Sequence, residues 1–275
     1  MSYGSYRPSG FAGLTPVVKN LLIINVLFYI GTWSIGRFTH GQIDLTKYLA
    51  IYYPATEHFG TWQFVTYMFM HSMTNFTHIL FNMFAVWMFG NTLEQVWGPK
   101  RFLTFYLVTG IGASLIHLLV IWFQIGGAIE AIELFANAPT PQDFEMIVND
   151  YFKSSVNPQK LNDFVYEWNT APDSIQYIDN AKTILNDLYS RSIDTPTVGA
   201  SGAVFGLLLA FGMLFPNALI YLYFAIPVKA KYFVIGYGAI ELYSGFTNSG
   251  GNIAHFAHLG GMIFGFFLIK YWKIR

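Results

Sequence analysis

Six apolar runs constrain this chain more than any other feature: roughly 21–35, 76–90, 102–125, 201–215, 232–246 and 253–269. A bilayer's hydrocarbon core takes about 20 helical residues to cross, somewhat fewer when polar flanks reach back to the surface. Several of the runs are near that lower limit. Charged residues make up only 11% of the chain, against about 25% in ordinary soluble domains. The mean hydropathy is +0.41. The expected fold class is an all-α polytopic membrane protein, a bundle of six transmembrane helices. The fifth run is the least distinct, because the stretch 219–227 just before it is also apolar.

Charge sets the expected orientation. Six spans put both termini on one side, together with Arg7, Lys19, Lys100, Arg101, Lys229, Lys231, Lys270, Lys273 and Arg275, while the short opposite loop carries only Arg37 and Lys47. Lysine and arginine collect on the cytoplasmic side, so both termini are expected there. The segment "FAIPVKAKYF" then reads as a cytoplasmic connection along the interface. Net charge is zero with no basic block, which excludes a nucleic-acid partner. Cysteine is absent, which excludes disulfides and thiolate metal sites. The first residues lack the pattern of a cleaved signal peptide. A compact six-span core without such a leader suits the plasma (inner) membrane of a bacterium.

One region departs from this composition. Residues 128–197 carry 11 acidic and 4 basic side chains, a local net charge of −7. Helical periodicity is clear there. Phe144, Ile147, Val148, Tyr151 and Phe152 share one face, and Leu161, Phe164, Val165 and Trp168 share another after an Asn157-Pro158 start. Ile178, Ala181, Leu185 and Leu188 form a third stripe, with a capping box read at Asp173 and Gln176. The expectation is a helical extramembrane insertion between the third and fourth spans, on the outer face. It divides the chain into 1–127, 128–197 and 198–275, with the first and last forming one domain.

Polar groups inside a bilayer are costly and mark function by default. Ser201 opens a run of about 15 residues that ends at Pro216-Asn217. A helix of that length reaches about 22 Å, short of a hydrocarbon core of about 30 Å, so its start would lie below the outer surface. A start at Thr195-Pro196 is the alternative, which places Ser201 in the second turn. Gly202 and Gly206 are four apart on this run, and Gly261 and Gly265 are four apart on the last one. Such small-residue pairs let membrane helices approach closely. His258 shares the face of Gly261 and Gly265, so packing the two glycine faces together would bring Ser201 and His258 within hydrogen-bond reach. His78 and Asn82, spaced i, i+4, read either as an interhelical hydrogen-bond pair or as donors to an oxyanion. His117 reads as a packing histidine. Glu241, the only acid well inside an apolar run, is expected to find a local partner or water. No histidine is followed by glutamate, so the HExxH zinc-protease pattern is missing. No second intramembrane carboxylate is present for an aspartic pair. No metal site and no cofactor are expected.

Three segments then resemble, in order, the motifs of the rhomboid intramembrane serine proteases: "HILFNMFAVWMFGNTLEQVWGPKRF" (78–102), "GASG" (199–202) and "AHLGGMIFG" (257–265). The resemblance implies a serine–histidine dyad without an acidic third member. Ser201 would be the nucleophile and His258 the general base. His78, Asn82 and the Ser201 backbone N–H would form the oxyanion hole. His255 competes for the base role, but His258 and Met262 stand where the family's two glycines would be. Phe205, one turn beyond the serine, is placed to stack on the imidazole. The long 128–197 segment departs from the family's usual pattern.

The implied activity is endopeptidase cleavage in or near transmembrane segments, with transmembrane-helix proteins as substrates and the lipid bilayer as the medium. A catalytically inactive relative that binds transmembrane helices is the alternative. A proton-relaying transporter is a third reading, against which no inverted repeat is visible. Neither the oligomeric state nor the physiological substrate can be read from the residues.

Overall fold

The computed structural model describes residues 13–222, 225–247 and 252–273. Arg7 and Arg275, both counted toward the cytoplasmic face, lie outside the described residues. Helix α1 (Pro16–Phe38) is followed by two single turns, α2 (Thr46–Leu49) and α3 (Gln63–Thr66). Helix α4 (Phe76–Ala85) runs through a π-helical turn, Val86–Gly90, into α5 (Asn91–Trp97). Gly98, at φ +76°, redirects the chain into α6 (Pro99–Asn137). Helices α7 (Pro141–Tyr151), α8 (Pro158–Thr170) and α9 (Ile175–Ile193) come next, then α10 (Ser201–Leu214). Strands β1 (Leu219–Leu222) and β2 (Ile226–Lys229) precede α11 (Ala230–Thr247) and α12 (Asn252–Tyr271).

The molecule is mostly helical, and helices cover all six apolar runs. Among the described residues, only α1 and α6 are long and apolar enough by themselves to cross a membrane. Helix α10 has 14 residues, and the path through α4 and α5 carries His78, Asn82, Asn91 and Glu94. These elements depend on their neighbours. Helix α10 is buried on nearly every side, from Gly202 through Leu208 and again at Ala210 and Gly212. A helix apolar all round belongs in the middle of a bundle. Helices α6 and α12 flank it. Outward, by contrast, Leu27, Trp33, Phe81, Phe123, Ile235 and Phe267 are each more than half exposed.

Close packing here depends on glycine. A Cβ on Gly261 of α12 would collide with the carbonyl oxygen of Gly202, and one on Gly265 would lie 3.5 Å from the Gly206 Cα. Gly202 and Gly206 in turn face Ala113 and Thr109 of α6. The start of α1 is fastened across the bundle. Glu94 of α5, almost fully buried, accepts hydrogen bonds from the N–H groups of Val17 at 3.0 Å and Val18 at 2.9 Å. These are amides that a helix N-terminus leaves free, and the dipole there favours a carboxylate.

Strands β1 and β2 correct the all-α expectation. They pair antiparallel, with Leu219 opposite Lys229 and Leu222 opposite Ile226. Ile220, Tyr221, Ile226 and Val228 favour strand, while Pro227 denies the segment a helix interior. A second difference concerns the third run. It does not stop near 125, because α6 continues unbroken for 39 residues. Gly126 and Gly127 do not break the helix, and the Tyr151 ring packs over Gly127, where a Cβ would meet its hydroxyl at 2.7 Å.

The far end of α6 therefore joins α7, α8 and α9 around a second core. Ala128, Phe135, Phe144, Ile147, Val148, Leu161, Val165, Trp168, Ala181 and Leu185 are buried in it. Tyr151, read as part of the inner stripe, is 41% exposed. Asn157 caps α8 by accepting from the N–H groups of Gln159 at 2.9 Å and Lys160 at 3.3 Å. The capping box read at Asp173 does not form. The Trp168 indole N–H donates to the Pro172 carbonyl at 3.1 Å, and the N–H of Ser174 bonds the Ala171 carbonyl. This turn leaves Ser174, not Asp173, as the residue that starts α9, with no side-chain cap.

Candidate active site

The backbone before α10 is irregular and is held at two points. Ile51 and Thr197 exchange two backbone hydrogen bonds at 3.0 Å, and the Gly199 N–H donates to the Tyr67 carbonyl at 3.0 Å. Gly199 has φ +131°, a region only glycine enters without strain. Ala200 then turns into the helix, so Ser201 is its first residue. The alternative start at Thr195-Pro196 is not adopted, because Thr197 is held in the bridge to Ile51.

The close contact of Gly261 with the Gly202 backbone brings two polar residues together. Ser201 Oγ lies 2.9 Å from His258 Nε2. The Phe205 ring stacks flat on the His258 imidazole, 4.3 Å between centroids and 6° from parallel. Tyr237 packs beside Phe205 at 5.0 Å. Ser201 and His258 are each partly exposed. The Nδ1 of His255, the competing base, lies 2.7 Å from Glu241 Oε2.

Glu241 is the member whose place the sequence did not reveal. Its Oε2 also lies 2.9 Å from His258 Nδ1, on the ring edge away from Ser201. The carboxylate is buried on α11. Glu241 does find partners, and among the described residues they are two histidines of the neighbouring helix α12. The one signal available was its position as a lone acid within an apolar run.

His78 sits beside Gly199: a Cβ there would meet its Cε1 and Nε2 at 2.9 Å and would lie 3.7 Å from Ser201 Oγ. Asn82 is buried and donates from Nδ2 to the His78 backbone carbonyl at 2.7 Å. One N–H of that amide is thus engaged within the helix, leaving its second for another acceptor. His71, outside the motifs, packs its ring edge-on to His78 at 5.3 Å. His117 is held by Thr197, Nε2 to Oγ1 at 2.8 Å, one turn of chain before the serine.

Glu241, His255 and His258 also form a donor set of the sort that can hold a metal ion, with ligand atoms within 4.8 Å of one another. The separations of 2.7 and 2.9 Å from one oxygen are those of charge-assisted hydrogen bonds. An ion between them would have to spread the three groups apart.

A serine at a small-residue helix start thus stands against an imidazole, with a further histidine and an amide nearby. The Rhomboid domain family matches this chain over residues 58–128 and 177–273, well over half its length, and the chain belongs to the rhomboid family. His78, Asn82, Ser201, Glu241 and His258 all fall inside the matched segments. The chain is also similar to RHOMBOID-like protein 12, mitochondrial, of Arabidopsis thaliana, at 26% identity over 187 residues. That match covers 67% of this chain and 39% of the relative, so the chain spans well under half of that protein's length. Membership of this family makes the chain a membrane protein.

Proposed function

We propose that the chain is an intramembrane serine endopeptidase that hydrolyses peptide bonds in or near transmembrane segments of other proteins. The observation that carries this reading is the 2.9 Å contact between Ser201 Oγ and His258 Nε2 on two glycine-packed helices. Serine is a weak nucleophile until a neighbouring base takes its proton. His258 accepts that proton as Oγ attacks the scissile carbonyl, then passes it to the departing amine. The acyl-enzyme is hydrolysed by water through the same base. The Ser201 backbone N–H, His78 and the free Asn82 N–H stabilise the oxyanion; removing one such donor lowers kcat by about 10²–10³-fold. A helical substrate shields its own carbonyls, so segments with glycine or other small residues unwind at least cost.

In this reading the helices over the six apolar runs are six spans. The broad exposed apolar surface faces lipid, and both termini are cytoplasmic in a bacterial inner membrane. Residues 128–197 are an acidic helical insertion on the outer face. The short α10, about 21 Å long, begins beneath that face, where water reaches the acyl-enzyme.

The test is a serine-directed fluorophosphonate on the purified full chain, read alongside cleavage of a single-span substrate in proteoliposomes. Labelling at Ser201 that is lost in Ser201→Ala and falls at least 100-fold in His258→Ala supports the protease. A wild-type chain that binds the transmembrane segment but neither labels nor cleaves overturns it in favour of a helix-binding relative.

A further inference from the structure

We propose that Glu241 is a positioning residue that extends the serine–histidine pair to a three-membered triad, Ser201–His258–Glu241. The inference rests on the protease reading above. It departs from the two-membered dyad that resemblance alone implies. Three helices converge to build it: α10 supplies the hydroxyl, α12 the imidazole and α11 the carboxylate.

The hydrogen-bond geometry sets the tautomer. An ionised carboxylate only accepts hydrogen bonds. With Glu241 Oε2 at 2.9 Å, His258 Nδ1 carries the proton, which leaves Nε2 unprotonated and facing the Ser201 hydroxyl at 2.9 Å. That is the tautomer a general base needs. When Nε2 takes the serine proton, the ring becomes cationic with a carboxylate already on its other edge. Phe205 fixes the ring plane but offers no partner for Nδ1, so stacking alone leaves both tautomers accessible.

His255 has a different part. It lies one turn before His258 on the same face and donates from Nδ1 to the same oxygen at 2.7 Å. A buried carboxylate is expensive without such partners. His255 therefore holds Glu241 in place from the far side, which explains why two histidines stand three apart on one helix while only one touches the serine. Tyr237, a turn before Glu241 on α11, also lies close enough to feel its charge.

The test compares the wild-type chain with Glu241→Gln on the same single-span substrate. The expected result is a fall in kcat on the order of 10²–10⁴-fold with KM within about threefold; the comparable change in a soluble Ser-His-Asp triad costs about 10⁴-fold. Glu241→Asp should recover part of that loss, which a purely structural role would not produce. Should Glu241→Gln fail to accumulate in the membrane, histidine nitrogen NMR on the wild-type chain decides. His258, assigned by the signal missing in His258→Ala, should rest with Nδ1 protonated and Nε2 bare. A wild-type enzyme that cleaves, paired with a Glu241→Gln variant within threefold of it in kcat, overturns the inference and leaves the protease reading standing. So does a resting Nε2–H tautomer. A wild-type chain that neither labels nor cleaves overturns the protease reading itself.

Discussion

Phe205 lies flat against the His258 ring, and that place decides how the ring can move. The stacking at 4.3 Å and 6° holds the imidazole plane, while the hydrogen bonds at its two nitrogens hold its rotation. Leucine at this position keeps volume but loses the flat face. Phe205→Leu is expected to lower kcat by about tenfold at unchanged KM, because near-attack geometry depends on small displacements. Steady-state cleavage in micelles reads this directly. Ser201 and His258 were legible as a pair, because each stands beside glycines in an apolar run, whereas the roles given to His78 and Asn82 came from the resemblance to the family. The histidine neighbours of Glu241 were not, since a residue's neighbours across helices leave no trace in its own local spacing.

At the scale of the helix, glycines differ by what stands over them. Gly261 lies against backbone, the Gly202 carbonyl, which cannot move aside as a side chain would. Gly261→Val should therefore force α12 away from α10, destabilise the fold by about 1–3 kcal/mol or more, and abolish Ser201 labelling. Gly31, in α1, has nothing within 4 Å of the Cβ position. Gly31→Ala should be tolerated and stabilise by roughly 0.5–1 kcal/mol through helix propensity. Thermal unfolding of the purified variants separates the two. Glu94 makes a related case. Its carboxylate answers the amides of Val17 and Val18 from another helix, and Glu94→Ala leaves those donors unsatisfied at a cost of about 1–3 kcal/mol, seen as a lower melting temperature. Helix starts with a local signal, such as Asn157-Pro158, could be read from the sequence. The end of α6 could not, because two consecutive glycines predict a break unless a ring such as Tyr151 packs over them.

Across the whole molecule, apolar surface and charge are segregated. The bundle exposes its apolar side chains broadly, whereas α7, α8 and α9 are amphipathic around their own core and carry most of the net −7 of residues 128–197. If this acidic unit stands beside the substrate entrance, single-span substrates with basic flanks should be cleaved faster than those with acidic flanks. The gap in kcat/KM should narrow as salt rises from about 0.05 to 0.5 M, since the Debye length shrinks with ionic strength. Equal rates for both substrates at low salt would remove any electrostatic role for the unit. Its three helices were readable because each carries a stripe at helical spacing. The contribution of α6 to the same core was not, since its far end looks like the start of a linker.

By itself the sequence determined the apolar runs, the acidic segment and the polar residues set among glycines, because hydrophobic period and residue chemistry act over a few neighbouring positions. Only the tertiary structure decided that a carboxylate 17 residues earlier meets the His258 ring, and that strands β1 and β2 pair antiparallel. Those outcomes depend on the rotation and depth of each helix against the others, which are set by close packing at Gly202 and Gly261 and not by any one segment's own pattern.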